Sequence, residues 1–424
     1  MAQVFALCDC NNFYVSCERV FDAKLVGRAV VVLSNNDGCV ISRSEEAKAL
    51  GIRMGTPFYQ IEHLATARGV RVLSSNYALY GDMSDRVMSV LRDLTPEVEI
   101  YSIDEAFMLL TQDVGRGSLT EFGREIQRTV YKLTGIPLSV GMAETKTLAK
   151  LANNLARKSL KAKGVLDLTR SPYQDCALER TPVEKVWGIG RRYTKTLKGL
   201  GVLTARQLRD LDVRHARAAF SVVVARVIEE LRGNCCLPLE SCPRPRKSLT
   251  CSRSFASPVE TLSDLREAVA AFTVRVAEKL RRRKLAAGAV TVFVATSRFA
   301  GTGARYANSM TVEMSYPTDA TPELLEQTRA CAKRLYREGC KFKSAGVMLN
   351  ALAPASPMTI RMQGDRQWVR TRQIMRAIDG VNARFGPDTI RYGLPKDDEP
   401  SWLSKSARRS PRYTTDWKEL LVVA

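Results

Sequence analysis

"EIYSIDEAF", residues 99–107, sets three acidic side chains into a segment otherwise suited to a buried strand, and Met108, Leu109 and Leu110 continue the apolar run. Ile100, Tyr101, Ile103, Ala106 and Phe107 are residues that pack well on a pleated sheet. An ionised carboxylate taken out of water is costly unless cations or hydrogen-bond donors compensate. Successive side chains of a regular strand face opposite ways, so Asp104 and Glu105 serve one site only where the chain bends.

Asp9 is the third partner to consider. It closes the first strand of "VFALCDCNNFY" (4–14), just before the chain turns polar. Three converging carboxylates, with no His or Cys among them, form a hard oxygen set suited to Mg²⁺ or Mn²⁺. Two such ions about 3.5–4 Å apart stabilise both the attacking and the leaving oxygen in phosphoryl transfer. A pair of exposed turn carboxylates is the plainer alternative.

Three basic motifs follow. In "ETKTLAKLANNLARK" (144–158), Lys146, Lys150 and Arg157 fall within about 40° on one helical face. That stripe needs either an anion or bulk water, and Leu148, Leu151, Ala152 and Leu155 form the apolar face opposite. "VWGIGRRYTKTLKGLG" (186–201) places Arg191 and Arg192 directly after the Gly188–Gly190 turn, with Gly199 and Gly201 beyond. Glycines there let backbone amides approach a phosphate at a helix start, the helix-hairpin-helix pattern that grips DNA without reading its sequence. The run "KLRRRK" (279–284), with Arg281, Arg282 and Arg283, ends a predicted helix and carries more charge than the helix dipole needs. Phosphate contact there would be strongly salt-dependent.

The chain of 424 residues carries a net charge of +21, unevenly spread: −3 over residues 1–140, +9 over 141–240, +10 over 241–350 and +5 beyond. An acidic front with a basic remainder predicts a polyanion held by the later segments and cations handled at the front. No apolar run reaches the roughly 18 residues of a membrane span. The opening lacks a basic, export-type start, so a cytoplasmic protein is expected. The 11 cysteines are then free thiols, and their spacing together with only two histidines speaks against structural zinc.

Interleaved strands and helices over residues 1–168 predict one sheet covered by helices. Residues 169–234 read as a small helical unit and the proline-rich 235–248 as a linker. A second α+β unit spans 249–352, and a tail runs over 353–424. The fold class is α+β and multidomain.

Eight stretches, in order along the chain, resemble the Y-family translesion DNA polymerases, and within them the UmuC subfamily. They are "FALCDCNNFYVSCE", "VVVLSNNDGCVISRSEEAKALGI", "SSNYALYGDMSDRVMS", "EIYSIDEAF", "GMAETKTLAKLANN", "KVWGIGRR", "CSRSF" and "SPRYTT". The resemblance implies a right-hand architecture: palm and fingers over 1–168 (fingers about 21–77), a helical thumb, a little finger at 249–352 and a partner-binding tail. It implies error-prone addition of dNTPs opposite damaged template in an SOS-type response. Asp9, Asp104 and Glu105 match the catalytic carboxylates that hold two Mg²⁺ ions, with the carbonyl of Cys10 as a further ligand. Tyr14 matches the steric gate that rejects a ribose 2′-OH. Asn12, Phe13, Ser42, Lys48 and Arg157 match the nucleotide-phosphate contacts, and Lys146, Lys150 and Arg253 match contacts to DNA or nucleotide phosphate. Primed damaged DNA, a processed UmuD-like dimer, RecA and the sliding clamp are the implied partners. Where the family carries a glutamine-led clamp motif, this chain has "ASPMTIRMQ" (355–363), without the leading glutamine or closing aromatic. A non-catalytic DNA-binding module that tethers repair partners is the rival reading; it needs the basic motifs but neither the carboxylate trio nor Tyr14.

Overall fold

The computed structural model describes residues 3–110, 118–240, 245–297, 305–355, 366–386, 388–392, 402–403 and 405–420. Two compact units emerge: Met1–Ser34, Gly38–Pro243 and Arg408–Ala424 form the first, and Asn35–Asp37 with Arg244–Ala407 the second.

The strands of the first unit are β1 (Val4–Cys10), β2 (Val30–Leu33), β3 (Val40–Arg43), β4 (Arg71–Ser74), β5 (Val98–Ile100), β6 (Glu105–Leu110), β7 (Leu138–Ala143) and β8 (Val165–Asp167). Its main sheet has the order β5-β6-β1-β7-β8, so β1 is central and buried on both faces. Val4, Ala6, Cys8 and Cys10 pack on one side, under the helices Phe13–Phe21, Tyr77–Leu94 and Leu119–Thr134. Phe5 and Leu7 pack on the other, with helix Lys146–Ala156 and the small helices between Gln174 and Leu231. Alternation therefore sends Asp9 to the face of helix Lys146–Ala156. Gly141 of β7 lets that helix lie unusually close, because a Cβ there would sit 2.1 Å from the Asn153 amide nitrogen.

A smaller sheet, β3-β2-β4, carries its own core around Val31, Leu33, Val40 and Ile61. Helix Glu45–Ala49 follows at once and is short, because Ser42 and Arg43 belong to β3. The expected strand through 99–110 is divided into β5 and β6, an antiparallel pair joined by a bend at residues 101–104.

In the second unit, β9 (Leu249–Val259), β10 (Leu285–Thr296), β11 (Ala307–Thr318) and β12 (Phe342–Pro354) form an antiparallel sheet of order β11-β10-β12-β9. Helices Leu262–Arg282 and Thr321–Leu335 cover one face over Phe255, Phe272 and Phe342. The other face carries alternating exposed residues along β11.

The stretch 353–424 does not behave as one tail. Helix Arg366–Phe385 buries Met375 in the second unit, where Trp402 also meets Phe272 edge-on. Residues from Arg408 onward return to the first unit, where Tyr413 stacks on Phe21. Apolar anchors at both ends of the stretch explain the division. Residues 356–363 of the clamp-like segment lie outside the described residues.

Candidate active site

The acidic cluster is built by strand register and one bend. β1 and β6 are antiparallel partners, and Asp9 stands directly opposite Glu105. Both belong to the face that carries Phe5, Leu7 and Phe107, so their side chains emerge together under helix Lys146–Ala156. Asp104 joins them because the chain folds back before β6: the amides of Tyr101 and Ser102 both donate to the Glu105 carbonyl at 3.0 Å. The Cys10 amide donates to the Asp104 carbonyl at 2.8 Å, which ties the bend to the end of β1. Ser102, which the sequence reading passed over, fixes the bend from within. Its hydroxyl donates to Asp104 Oδ1 at 2.6 Å and accepts from the amides of Asp104 (3.2 Å) and Glu105 (3.0 Å).

Three carboxylates so placed repel one another. Desolvation pushes the Asp9 carboxyl up to about 7, Arg157 pulls it down, and the neighbouring charges of Glu105 and Asp104 add to the rise. Arg157 donates to both oxygens of Asp9 at 3.0 and 3.2 Å, and Lys150 lies 2.9 Å from the Glu105 carboxylate. The Lys150 ammonium also sits over the rings of Tyr101 (4.6 Å) and Trp187 (5.5 Å), which hold it in place. Trp187 was read only as part of the thumb motif; its indole donates to the Tyr101 hydroxyl at 3.2 Å.

The cationic stripe thus faces neither water nor phosphate alone. Lys146, Lys150 and Arg157 meet Glu99, Glu105 and Asp9 in turn. Lys146 departs most from expectation. Only 3% exposed, it pairs with Glu99 and donates to the Pro238 carbonyl at 2.9 Å, so it has no reach to nucleic acid. Its role is to staple the helix to β5 and to the start of the linker. Lys146→Met should lower unfolding free energy by about 3–5 kcal/mol, the cost of stranding a buried partner charge. Denaturant melts would show this, and duplex affinity measured on the folded protein should stay near wild type.

The residues expected to meet a nucleotide gather at the turn after β1. Asn12 adopts the left-handed conformation (φ 48°) and opens helix Phe13–Phe21 without a side-chain cap. Its side-chain amide donates to Glu45 at 3.0 Å, and Glu45 also pairs with Lys48 at 2.6 Å. Ser42 is buried and bonded, donating to the Asn12 carbonyl (3.3 Å) and accepting from the Val15 amide (3.4 Å); it latches β3 to the turn rather than facing a ligand. Phe13 is buried, and Tyr14 is half-buried with its ring stacked on Tyr80 at 4.5 Å. The Cys10 thiol lies in the core, its titration pushed well upward by burial, which leaves the side chain without a ligand role.

In the segment after β8, Gly188 has φ +89° and Gly190 caps helix Arg191–Gly199, while Arg191 and Arg192 are exposed at its start. In the second unit, Arg253 is exposed on β9, and Arg282 and Arg283 line one depression with Arg246 and Lys279. Arg281 departs from expectation. It is partly buried in a two-pronged pair with Asp379 (2.7 and 2.8 Å) and donates to the Asp319 carbonyl and the Thr321 hydroxyl, so it braces the unit instead of reaching DNA.

Among the described residues no three Asp, Glu, His or Cys side chains form a ready-made metal cage. Arg157 and Lys150 stand against the oxygens that would compose one. The donor set itself fits a hard divalent cation, since all three side chains offer carboxylate oxygens and no softer ligand.

The sequence pattern of the impB/mucB/samB family matches residues 8–154, and that of its C-terminal domain matches residues 246–362. UmuC of Salmonella typhimurium is 42% identical over 422 residues, covering 99% of this chain and 100% of that protein. The chain belongs to the impB/mucB/samB family. SamB of Salmonella typhimurium is 40% identical over 98% of this chain and 99% of its own length. DNA polymerase IV of Desulfatibacillum aliphaticivorans is 30% identical, over 90% of this chain and 94% of its own length. Among solved structures, a Y-family DNA polymerase chimera aligns with a TM-score of 0.67 at 18% identity, covering 82% of this chain and 98% of that one. The insertion ternary complex of Dbh DNA polymerase aligns with a TM-score of 0.56 at the same identity and coverage. These likenesses establish the Y-family fold, as the sequence resemblance implied. Residues 372–423 match a domain of unknown function.

Proposed function

We infer that the chain is an error-prone translesion DNA polymerase that adds dNTPs to a primer 3′-OH opposite damaged template. The observation that carries this reading is the placing of Asp9 opposite Glu105, with Asp104 folded in beside them. A tethering module would have no use for that arrangement. UmuC, SamB and DNA polymerase IV relatives along nearly the full chain support the activity.

Y-family polymerases are metal-dependent nucleotidyltransferases; here the ions are proposed to be two Mg²⁺, with Mn²⁺ as a substitute. Asp9, Asp104, Glu105 and the carbonyl of Cys10 would hold them. Bound there, the ions would supply Lewis acidity toward the 3′-OH and the triphosphate oxygens and offset charge developing on pyrophosphate. The chain's own cations have two tasks. Arg157 and Lys150 offset part of the carboxylate charge, and Arg157 and Lys48 would exchange Asp9 and Glu45 for nucleotide phosphates. Asn12 and Phe13 offer backbone amides at a helix start, where an anion is favoured. Tyr14 forms the floor beneath the sugar. No side chain is placed as a general base. Arg191, Arg192, Arg253, Arg282 and Arg283 remain as the DNA-backbone contacts. A processed UmuD-like dimer and RecA are the proposed partners, in an SOS-type response.

Primer extension tests the reading. Protein, Mg²⁺ and dNTPs on a primed template with one defined lesion, with a UmuD-like dimer and RecA present, should yield products past the lesion that vanish on chelation. Binding of the duplex with no extension under these conditions would favour the tethering module.

A further inference from the structure

The motif "SPRYTT" (410–415) has no part in the chemistry above, yet it is anchored to the two helices that carry Tyr14 and Tyr80. The Ser74 amide, at the end of edge strand β4, donates to the Arg408 carbonyl at 3.0 Å, and the Arg408 amide returns a bond to the Ser74 hydroxyl at 3.0 Å. Asn76, 1% exposed, caps helix Tyr77–Leu94 through its oxygen. Its side-chain NH₂ donates to the carbonyl (3.1 Å) and hydroxyl (2.9 Å) of Ser410 and to the carbonyl of Pro411 (3.0 Å). Tyr413 stacks on Phe21 at 4.9 Å, at the far end of the helix on which Tyr14 sits.

Between these anchors the Ser410 hydroxyl donates to Glu18 Oε1 at 3.0 Å, and the Tyr80 hydroxyl donates to the same oxygen at 2.7 Å. Glu18 is 2% exposed and Tyr80 is fully buried. The Tyr80 ring lies nearly parallel to that of Tyr14, 4.5 Å between centroids and 17° between planes. A continuous path of contacts therefore runs from the C-terminal segment to the ring under the sugar. In a dry pocket a carboxylate that loses one of two hydroxyl donors shifts toward the other, because an unmet lone pair is costly there. Tyr80 would follow Glu18, and the surface on which Tyr14 rests would tilt.

We propose that Arg408–Tyr413 is a strap that sets the sugar gate, with Ser410 acting through Glu18 and Tyr80 as a positioning residue for Tyr14. The inference rests on Tyr14 being that gate. A strap that only holds the fold together would, when weakened, lower stability and depress use of every nucleotide alike. A strap that sets the gate changes the ratio of deoxyribonucleotide to ribonucleotide use.

Single-nucleotide insertion opposite template guanine, with dCTP or CTP and the full-length chain with its partners, separates the two. Ser410→Ala should lower the dCTP-to-CTP ratio of kcat/KM roughly fivefold, less than a directly contacting charged hydrogen bond would carry, and mostly through a lower KM for CTP. Ser410→Thr, which keeps the hydroxyl, should restore the ratio. Tyr80→Phe should act like Ser410→Ala, and combining the two should add little, since both cut one path. A wild-type ratio in both Ser410→Ala and Tyr80→Phe, beside a changed ratio in Tyr14→Ala, overturns the strap and leaves the gate standing. An unchanged ratio in Tyr14→Ala overturns both.

Discussion

Replacing Asp104 or Glu105 by Ala is expected to lower primer extension by a thousandfold or more, on the order of the several kcal/mol that charge stabilisation at a two-ion site supplies. Duplex binding should remain close to wild type, because the exposed arginines of the thumb segment and second unit are untouched. The two residues should not fail in the same way. Asp104 receives a 2.6 Å bond from Ser102, so Asp104→Asn keeps the bend and tests the loss of charge alone. Glu105 is paired with Lys150 at 2.9 Å, and its loss leaves that ammonium, among the described residues, to the Tyr101 and Trp187 rings. Glu105→Gln is therefore the cleaner variant, since it preserves volume and a hydrogen bond. Single-turnover extension beside a binding titration distinguishes the outcomes. Extension by either alanine variant at near wild-type rate would remove the carboxylates from the chemistry.

Much of this site was legible in the sequence, for a definite physical reason. Acidic residues in strand-like surroundings signal an outside charge that makes them tolerable, and the need for a bend between Asp104 and Glu105 followed from the two-residue period of a strand. The structure supplies that bend at residues 101–104. Less legible was the destination of the basic residues. Helical spacing places Lys146, Lys150 and Arg157 on one face, but it cannot tell a phosphate from a row of carboxylates brought in by register. Glu99, Glu105 and Asp9 become that row only once Gly141 lets the helix settle on the sheet. Arg281 misled for a related reason: the charges of "KLRRRK" look equivalent in sequence, and the two-pronged pair with Asp379 singles one out. The anchoring of Ser410 on Glu18 joins residues 392 positions apart, beyond any local pattern.

The sugar preference offers the sharpest separation between a polymerase and any other use of this cluster. Tyr14→Ala should lower discrimination against ribonucleotides about 10- to 100-fold, the 1–3 kcal/mol that forcing extra atoms into a filled site costs. The ring is placed for that task by its neighbours. It is stacked on the buried Tyr80, edge-on to Tyr77 at 6.1 Å, and close enough to Asp104 for that charge to help raise its titration, after burial and Tyr77. A side chain so backed resists displacement, so the proposed exclusion of a 2′-OH would come from rigidity as much as from size. Tyr14→Phe keeps the ring and its stacking and should retain most of the discrimination, which assigns the effect to bulk rather than to the hydroxyl. Deoxyribonucleotide insertion should fall far less in either variant than in the carboxylate variants, because the ring is proposed to meet the sugar and not the reacting oxygens. Equal sugar ratios in wild type and Tyr14→Ala would mean that the space above Tyr80 is not where the nucleotide lies.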